Sequence, residues 1–351
     1  MQKKIIKIFI IVFITMISIP FVFTVLKIKV KPVNKLEKEI SLNFKRNFPL
    51  KADLFKIYYA IKNDIFETNP MRRQVVDVKN GWKFLGDDYS NALSESKRII
   101  VFNKKEIESL KQILTYRNNW LKERNIKFYL SVAPNKHSVY GDMIDIKEYN
   151  RNSKLEQIDS LCKTLDINFI NLGADFPKDE NIRLYHKTDT HWNDYAGFYA
   201  FGSIMKQITK DFVNTEFNIY TLDDMNIETT IDPIGDLNEI LRLEKSEAFI
   251  HFNFKNPEKI HELDKTLTIR KGYHKDPSFY ELRYRNDIND LKIMTMNDSF
   301  FGYFRKYLVN NFGNSLFIWD YVFDENLIES EKPDILLHEI AERDVDFLLV
   351  K

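Results

Sequence analysis

Cysteine is nearly absent from the 351-residue chain, and its scarcity excludes two kinds of stabilisation. Because Cys162 is the only cysteine, no intramolecular disulfide can form and no cysteine-based metal cluster can be built. Cys162 lies in the helical pattern KLEQIDSLCKTL, where a lone cysteine is more simply a small buried hydrophobe than a reactive thiol. Aromatic residues make up 14% of the chain, enough for a large core.

An excess of charge of either sign is also missing. The 52 basic and 51 acidic side chains nearly cancel, so the overall balance points to neither nucleic acid nor a polyanion as partner. No internal repeat or low-complexity run is visible. The length suggests one large domain or two small ones.

One long uncharged run lies at the N-terminus. Residues 8–26, IFIIVFITMISIPFVFTVL, number 19, which is close to the roughly 20 residues needed to span a bilayer. The run ends without an A-x-A cleavage pattern, so an uncleaved signal anchor over 1–29 is favoured over a cleaved signal peptide or a buried core helix. Lysines flank both sides, so the positive-inside rule says little about orientation. Because only a short lysine-bearing stub precedes the span, we expect the rest of the chain to lie outside the cytoplasmic membrane, beginning with a juxtamembrane spacer and helix over 30–70.

From residue 100 the sequence alternates between helical and strand patterns. Strands alternating with helices predict an α/β domain over 71–351, with a parallel sheet covered on both faces and ligand sites beyond the carboxyl ends of its strands. A charged, irregular stretch at about 210–290 is predicted to be an insertion. Asn80-Gly81 predicts a hairpin turn. Strands are predicted at 127–134, 167–172, 291–296, 314–320 and 333–340, and helices behind an Asn103–Glu106 capping box and at 154–165, 193–208 and 299–312.

Two short segments carry candidate chemistry. In LKIMTMNDSFFGYF, Ser299 follows a strand and opens a helix, where backbone N–H groups and the helix dipole would favour developing negative charge. In YHKTDTHWNDYAGF, Asp189 lies two residues from His191, which is the carboxylate–imidazole pair that a serine nucleophile needs. Taken alone, Ser299 is more simply an ordinary N-cap, and the second segment is more simply a polar loop with a helix cap.

Among the seven histidines, only His191 pairs closely with an acid beside a tryptophan at the edge of a helix. His186 is a weaker alternative for the base, and His338 lies in a strand pattern that favours a core or edge position. His186 and His191 are five residues apart with no further convincing ligand cluster, so neither a metal nor another cofactor is expected. The seven are His137, His186, His191, His251, His261, His274 and His338.

The order of these segments carries a family resemblance. DTHW (189–192) followed by NDSF (297–300) resembles the acetyltransferase family of alginate biosynthesis, whose domain resembles the SGNH hydrolases. In ordinary SGNH enzymes the serine block comes first, whereas in the alginate-type family the order is permuted, as it is here. The resemblance covers about residues 70–351. It is supported in order by NGWKFLG (80–86), SVAPNKHSVYG (131–141), GDLNEIL (235–241) and KPDILLHEIAER (332–343).

The resemblance implies roles for individual residues. Ser299 would be the nucleophile, His191 the base and Asp189 the group that orients the base. Lys136 would stabilise charge and Tyr140 would contact the sugar, unless both merely belong to a loop after a strand.

Two further residues are implied near the site. Asn297 stands where the Gly-Asp-Ser (GDS) signature of SGNH hydrolases has glycine. It would either supply an amide donor or alter the turn. Arg343 would lie near the cleft, or would pair with Glu342 or Asp344. No carbohydrate-binding module is recognisable at the C-terminus, so substrate binding is expected from the domain itself or from a partner.

The implied function is a membrane-anchored O-acetyltransferase that acts on a cell-surface or exported polysaccharide. Because acetyl-CoA is not expected outside the membrane, a membrane-bound O-acyltransferase is the implied donor partner. Two alternatives remain open: an esterase that removes acetyl groups with the same triad, and a glycan-binding scaffold without turnover.

Overall fold

The chain divides into two compact units, Met1–Pro70 and Met71–Lys351. The predicted signal anchor, residues 1–29, lies outside the described residues except for isolated positions. In the part of the chain that is described, no helix is long and apolar enough to cross a membrane. The first unit contains helix α1 (Lys51–Ala60), which continues into a π-helical turn, Ile61–Ile65. The computed structural model describes residues 7, 10–11, 13–15, 18, 22, 51–66, 68–144, 147–232, 234–273 and 275–350.

The second unit is built around a seven-stranded sheet. The strands of this unit are β1 (Val75–Asp77), β2 (Lys83–Leu85), β3 (Lys127–Ala133), β4 (Asn168–Asn171), β5 (Met225–Asp232), β6 (Glu247–Phe254), β7 (His261–Leu263), β8 (Glu281–Arg285), β9 (Lys292–Met296), β10 (Asn314–Ile318) and β11 (Ile335–Ala341). The sheet order is β4-β3-β11-β9-β10-β8-β7. The five strands from β4 to β10 are parallel, and β8 and β7 extend that edge in antiparallel pairing. The predicted α/β class and its parallel sheet are confirmed.

Three predicted helices flank the sheet: the one behind the Asn103–Glu106 capping box and those at 154–165 and 193–208. The capping box forms as predicted, because Asn103 accepts from the backbone of Glu106 while the Glu106 carboxylate accepts from the backbone of Asn103. The predicted hairpin joins β1 to β2 through a turn in which Asn80 and Gly81 both take positive φ angles of 60° and 79°. The remaining helices are α2 (Ala92–Ser96), α3 (Lys104–Lys122), α4 (Lys136–Tyr140), α5 (Lys154–Thr164), α6 (Asp194–Asp211), α7 (Asp236–Ile240), α8 (Arg305–Val309) and α9 (Glu325–Glu331).

The strand pleat sorts side chains into two apolar cores. Along β3, Phe128, Leu130 and Val132 enter one core, whereas Tyr129 and Ala133 enter the other. Alternation on both faces without a polar side is typical of a parallel sheet covered by helices. Helix α6 packs in the core that contains Tyr129, while α3 and α5 pack in the opposite core, where Cys162 is fully buried as predicted.

Two predicted elements differ from the structure. The stretch at 210–290 is not irregular: it contains β5 and β6, which pair with each other, and β7 and β8, which extend the main sheet. These strands are short or solvent-facing, so their composition is polar and the sequence did not predict them as strands. The single helix predicted over 299–312 is instead a 3-10 turn, Phe300–Tyr303, followed by the short helix α8.

His338 is fully buried in β11, as its strand pattern predicted, and neither of its ring nitrogens has a hydrogen-bond partner among the described residues. Burial lowers the pKa of His338 to about 3, against about 6.5 in the unfolded chain. Between these values the unfolded state binds the extra proton, so this residue lowers the free energy of unfolding as the pH falls from 6.5.

We therefore expect His338→Gln to flatten the fall in stability between pH 6.5 and pH 4 by up to about 1.4 kcal/mol per pH unit. Urea unfolding at several pH values measures this, with the exposed His261→Gln as the matched control. Identical pH profiles for wild type and His338→Gln would contradict the assignment.

Candidate active site

Ser299 lies on a sharp turn at the carboxyl end of β9. The Asn297 N–H extends the pairing with β10 by donating to the Ile318 carbonyl at 2.9 Å, after which the chain turns away from the sheet. Ser299 begins the 3-10 turn, and its Oγ faces His191 instead of capping the turn. The Phe300 N–H already donates to Asp298 Oδ1 at 2.8 Å, so it is not free to stabilise an oxyanion. A four-residue turn also carries less dipole than the long helix that the sequence predicted.

His191 is carried by a loop that folds back on itself before α6. Tyr185 and Trp192 form an isolated antiparallel bridge, and the Asn193 N–H donates to the Leu184 carbonyl at 2.9 Å. Asn193 then caps α6, because its Oδ1 accepts from the backbone of Tyr195 and of Ala196.

Two close contacts tie this loop to the serine turn. The buried Trp192 indole donates to the Phe300 carbonyl at 3.0 Å. Helix α6 touches the same turn at Gly197, where a Cβ atom would lie 2.6 Å from the Tyr303 carbonyl oxygen. Because only glycine permits this approach, the helix behind His191 and the turn behind Ser299 pack directly against each other.

The structure brings Ser299, His191 and Asp189 into one hydrogen-bonded chain. His191 Nε2 lies 2.7 Å from Ser299 Oγ, and His191 Nδ1 lies 2.7 Å from Asp189 Oδ1. Both spacings are within hydrogen-bond reach, as a base and its orienting carboxylate require. The His191 and Asp189 side chains keep 22% and 15% of their surface exposed, so the site is open to a ligand.

A second carboxylate, Asp236, flanks the first, and the sequence interpretation did not single it out. Its backbone N–H donates to Asp189 Oδ2 at 2.9 Å, and its own Oδ1 accepts from the Thr190 N–H at 2.7 Å. Asp236 Oδ2 lies 3.7 Å from His191 Nδ1, an ångström farther than Asp189 Oδ1. Asp236 belongs to the quoted segment GDLNEIL, but no local spacing links it to His191.

The two carboxylates differ in their proton affinity. Burial raises the pKa of Asp189, but hydrogen bonds and charge from His191, with the Asp236 amide, outweigh it, so the Asp189 pKa falls below its ordinary value. Burial and the neighbouring Asp189 charge raise the pKa of Asp236. Asp189 is therefore the carboxylate that stays ionised and balances a protonated imidazole.

Lys136 supports the site but its ammonium group does not reach the reacting atoms. Its Nζ donates to the carbonyls of Lys83, Lys187 and Asp189 at 2.7, 2.9 and 3.0 Å. An ammonium group has three N–H donors, and all three are used. Lys136 is buried, and it holds the Asp189 loop against β2 instead of stabilising charge on a reacting group, the role that the resemblance implied.

Tyr140 and Asn297 are also occupied by the protein itself. The Tyr140 hydroxyl accepts from the Leu184 N–H at 3.0 Å, and its ring packs on Trp82. Asn297 Oδ1 accepts from the Thr295 hydroxyl at 2.6 Å, and its amide nitrogen is 3.4 Å from the Asp298 carbonyl. Of the alternatives stated for Asn297, these contacts fit a role in shaping the turn.

Arg343 lies beside the site, as one of its two predicted placements requires. Its guanidinium sits 5.0 Å from the centre of the Phe300 ring, and that ring is 5.0 Å from the His191 ring. Arg343 Nε is 3.8 Å from Asp344 Oδ2, so the predicted pairing with Asp344 is also present but long.

The serine turn rests on a buried carboxyl pair. Asp298 Oδ2 accepts from the Ala341 N–H at 2.7 Å and the Tyr321 hydroxyl at 2.8 Å, which fastens the turn to β11 and to the loop after β10. Below it, Glu339 is fully buried and accepts from the Asp298 N–H at 3.1 Å. Burial, and then the charge of Asp298, raise the pKa of Glu339 well above its usual range.

Asp189, His191 and Asp236 also form a group whose ligand atoms all lie within 4.8 Å of one another. Carboxylates and imidazole can bind divalent cations. Here Asp189 Oδ1 and His191 Nδ1 share a hydrogen bond, and the Thr190 hydroxyl donates a hydrogen bond to Asp236. A cation at this position would have to break the contact that orients His191.

Part of the α/β domain is similar in sequence to a known protein family. Residues 75–264 match the family described as the SGNH hydrolase-like domain of the acetyltransferase AlgX; the match includes Asp189, His191 and Asp236 and ends before Ser299. No curated protein matches the sequence.

Three solved structures share the fold. PatB1 of Bacillus cereus is 16% identical, with a TM-score of 0.56 over 78% of this chain and 98% of that one. A DHHW family protein of Eubacterium siraeum DSM 15702 is 13% identical, with a TM-score of 0.55 over 78% and 91%. The O-acetyltransferase domain of Pseudomonas putida AlgJ is 13% identical, with a TM-score of 0.50 over 79% and 92%. At such identities the similarity establishes the fold.

Fold and site together define a class: an SGNH-like α/β domain with serine, histidine and aspartate in contact beyond the carboxyl ends of its strands. The family match covers more than half of the 351 residues. The chain therefore belongs to the SGNH hydrolase-like acetyltransferase family of AlgX, and the resemblance seen in the sequence is confirmed.

The different distances of the two carboxylates from His191 Nδ1 predict unequal roles. We expect Asp189→Asn to lower kcat/KM for p-nitrophenyl acetate roughly 10⁴-fold, because the imidazole would lose its orienting charge. Asp236→Asn should lose less than about tenfold, the equivalent of one hydrogen bond. Steady-state kinetics of both variants test this; equal losses, or a larger loss in Asp236→Asn, would overturn the ranking.

Because the three possible ligand atoms are engaged in hydrogen bonds, we expect activity to be independent of divalent cations. Dialysis against EDTA should leave the initial rate of p-nitrophenyl acetate turnover unchanged, and added zinc or magnesium should not raise it. A loss of rate that a metal restores would show that this group of residues binds a cation.

Proposed function

We propose that this protein is an O-acetyltransferase that acetylates a polysaccharide through an acetyl-serine intermediate. The observation that carries the proposal is the continuous contact from Asp189 through His191 to Ser299, in a chain that belongs to an acetyltransferase family. The contact supplies a nucleophile, a base and an orienting charge in the order that acyl transfer needs.

The reaction is proposed to have two half-reactions. His191 Nε2 takes the proton of Ser299 Oγ as that oxygen attacks the acetyl carbonyl of the donor, and the departing donor group then takes the proton from His191. This leaves an acetyl ester on Ser299. A sugar hydroxyl next gives its proton to His191 and attacks the ester, which forms the acetylated sugar and restores the serine hydroxyl. Asp189 holds the Nδ1–H of the imidazole through both steps.

The proposed location of the reaction rests on the N-terminal sequence. The uncharged run at 8–26 is proposed to anchor the chain in the cytoplasmic membrane, with the α/β domain on the outer side. Acetyl-CoA is not expected there, so a membrane-bound O-acyltransferase is proposed to deliver the acetyl group to Ser299.

The first experiment tests the intermediate. We expect a brief reaction of the full chain with p-nitrophenyl acetate to release a burst of p-nitrophenol and to add one acetyl group, seen by intact mass. Ser299→Ala should show neither. The matched control is Ser203→Ala, because that serine is buried in α6 and bonds to Asp175. Equal labelling of wild type and Ser299→Ala would reject the nucleophile.

The second experiment tests the acceptor. If the acetyl-enzyme is a transferase intermediate, uncharged oligosaccharides should accelerate loss of the label and should appear as acetylated products by mass spectrometry. An esterase would instead release acetate at a rate that no oligosaccharide changes. That outcome would replace acetyl transfer with deacetylation while leaving the role of Ser299 intact.

A further inference from the structure

We propose that a cavity behind the serine turn is a subsite for one uncharged sugar ring of the acceptor glycan. The cavity has a volume of about 270 Å³ and is lined mainly by aromatic and acidic side chains. The inference rests on the proposed function, because it assumes that the acceptor is a polysaccharide. The walls of the cavity include Lys275, Trp319, Asp320, Tyr321, Asp344 and Phe347.

The register of the sheet places the cavity at the same edge as Ser299. Met296 of β9 pairs with Ile318 of β10 and with His338 of β11. The chain leaves β9 toward Ser299, and it leaves β10 directly into Trp319. Both segments therefore emerge at the carboxyl ends of adjacent parallel strands, where ligands bind in sheets of this kind.

Side-chain contacts connect the cavity to the reacting groups. Tyr321, whose ring also lines the cavity, donates to Asp298 at 2.8 Å, and Asp298 directly precedes Ser299. On the other side, Arg343 lies over the Phe300 ring and is 3.8 Å from Asp344 of the cavity wall. The side chains of Arg343 and Phe300 thus connect the cavity wall at Asp344 to His191.

The aromatic residues give the cavity the chemistry of a sugar site. Trp319 is half-buried and Phe347 is 49% exposed, so both can present surface to a ligand. The C–H groups on one face of a pyranose carry partial positive charge, and they suit the electron-rich face of an aromatic ring. A mostly apolar wall with a few polar groups is also typical of small-molecule sites.

The charged groups favour an uncharged sugar over a uronate. Asp320 and Asp344 can accept hydrogen bonds from sugar hydroxyls, and their two negative charges offset the positive charges of Arg270 and Lys275, so the cavity has no excess positive charge to attract a uronate. Arg270 already pairs with both oxygens of Asp320, at 2.7 and 3.1 Å, and so it is not free to bind a uronate. Lys275 lies 5.0 Å from the Trp319 ring, where its ammonium can donate to a sugar oxygen.

Calorimetric titration of the full chain in detergent tests the subsite. The probes are chitotriose, cellotriose and mannotriose as uncharged sugars, and trigalacturonate as the charged one. We expect at least one uncharged trisaccharide to bind and trigalacturonate to bind more weakly or not at all. Trp319→Ala and Phe347→Ala should each weaken binding at least tenfold. Tyr149→Ala, which removes an exposed ring elsewhere, should not change it.

Intrinsic fluorescence gives an independent reading. Trp82, Trp120 and Trp192 are buried, so the half-buried Trp319 should dominate any change on ligand binding. A change seen in wild type should be absent from Trp319→Phe. The subsite is rejected if no uncharged trisaccharide binds, if trigalacturonate binds best, or if Trp319→Ala binds like wild type.

Failure of the subsite can be separated from failure of the proposed function. Because Ser299 does not line the cavity, Ser299→Ala should bind the trisaccharide as wild type does. If the acetyl-serine forms but sugar binding does not depend on Trp319, the subsite is wrong and the enzyme stands. If sugar binds through Trp319 but no acetyl-serine forms, the subsite stands and acetyl transfer fails.

Discussion

The whole site depends on the 2.7 Å contact between His191 Nε2 and Ser299 Oγ, two residues that are 108 positions apart in the chain. Neither loop could hold this distance alone. The parallel pairing of β9 with β10 and β11 fixes where Ser299 leaves the sheet. The indole of Trp192 then joins the histidine loop to the serine turn through the Phe300 carbonyl. Trp192 is fully buried in the core and also joins the two loops of the site, so the core and the site depend on the same side chain.

Beneath the contact lies a layer of buried polar groups that hold the loops and do not react. The Lys136 ammonium donates to three carbonyl oxygens, and the Glu339 carboxyl group accepts from the Asp298 N–H. Buried polar groups are costly unless they are paired, and Lys136 avoids that cost because all three of its N–H donors are used. Asp236 is partly exposed, but it also holds the site in place, since its backbone N–H donates to Asp189 Oδ2.

The sequence predicted the alternating α/β order, the hairpin at Asn80, the capping box at Asn103 and the family, because each of these depends on local patterns. It also predicted which serine, histidine and aspartate would be neighbours, through the order of two motifs. It did not predict Asp236, because a contact between segments more than 40 residues apart leaves no local spacing. The helix after Ser299 was predicted too long, since apolar residues at helical spacing do not reveal a break at Phe304.

The central claim is that His191 activates Ser299, and covalent labelling tests it most directly. The full chain is treated with a fluorophosphonate, which reacts with activated serines, and the adduct is located by peptide mass spectrometry. The account predicts a single adduct on Ser299 in wild type and at least a hundredfold slower labelling in His191→Ala. An adduct on another serine, or equal rates for wild type and His191→Ala, would contradict it.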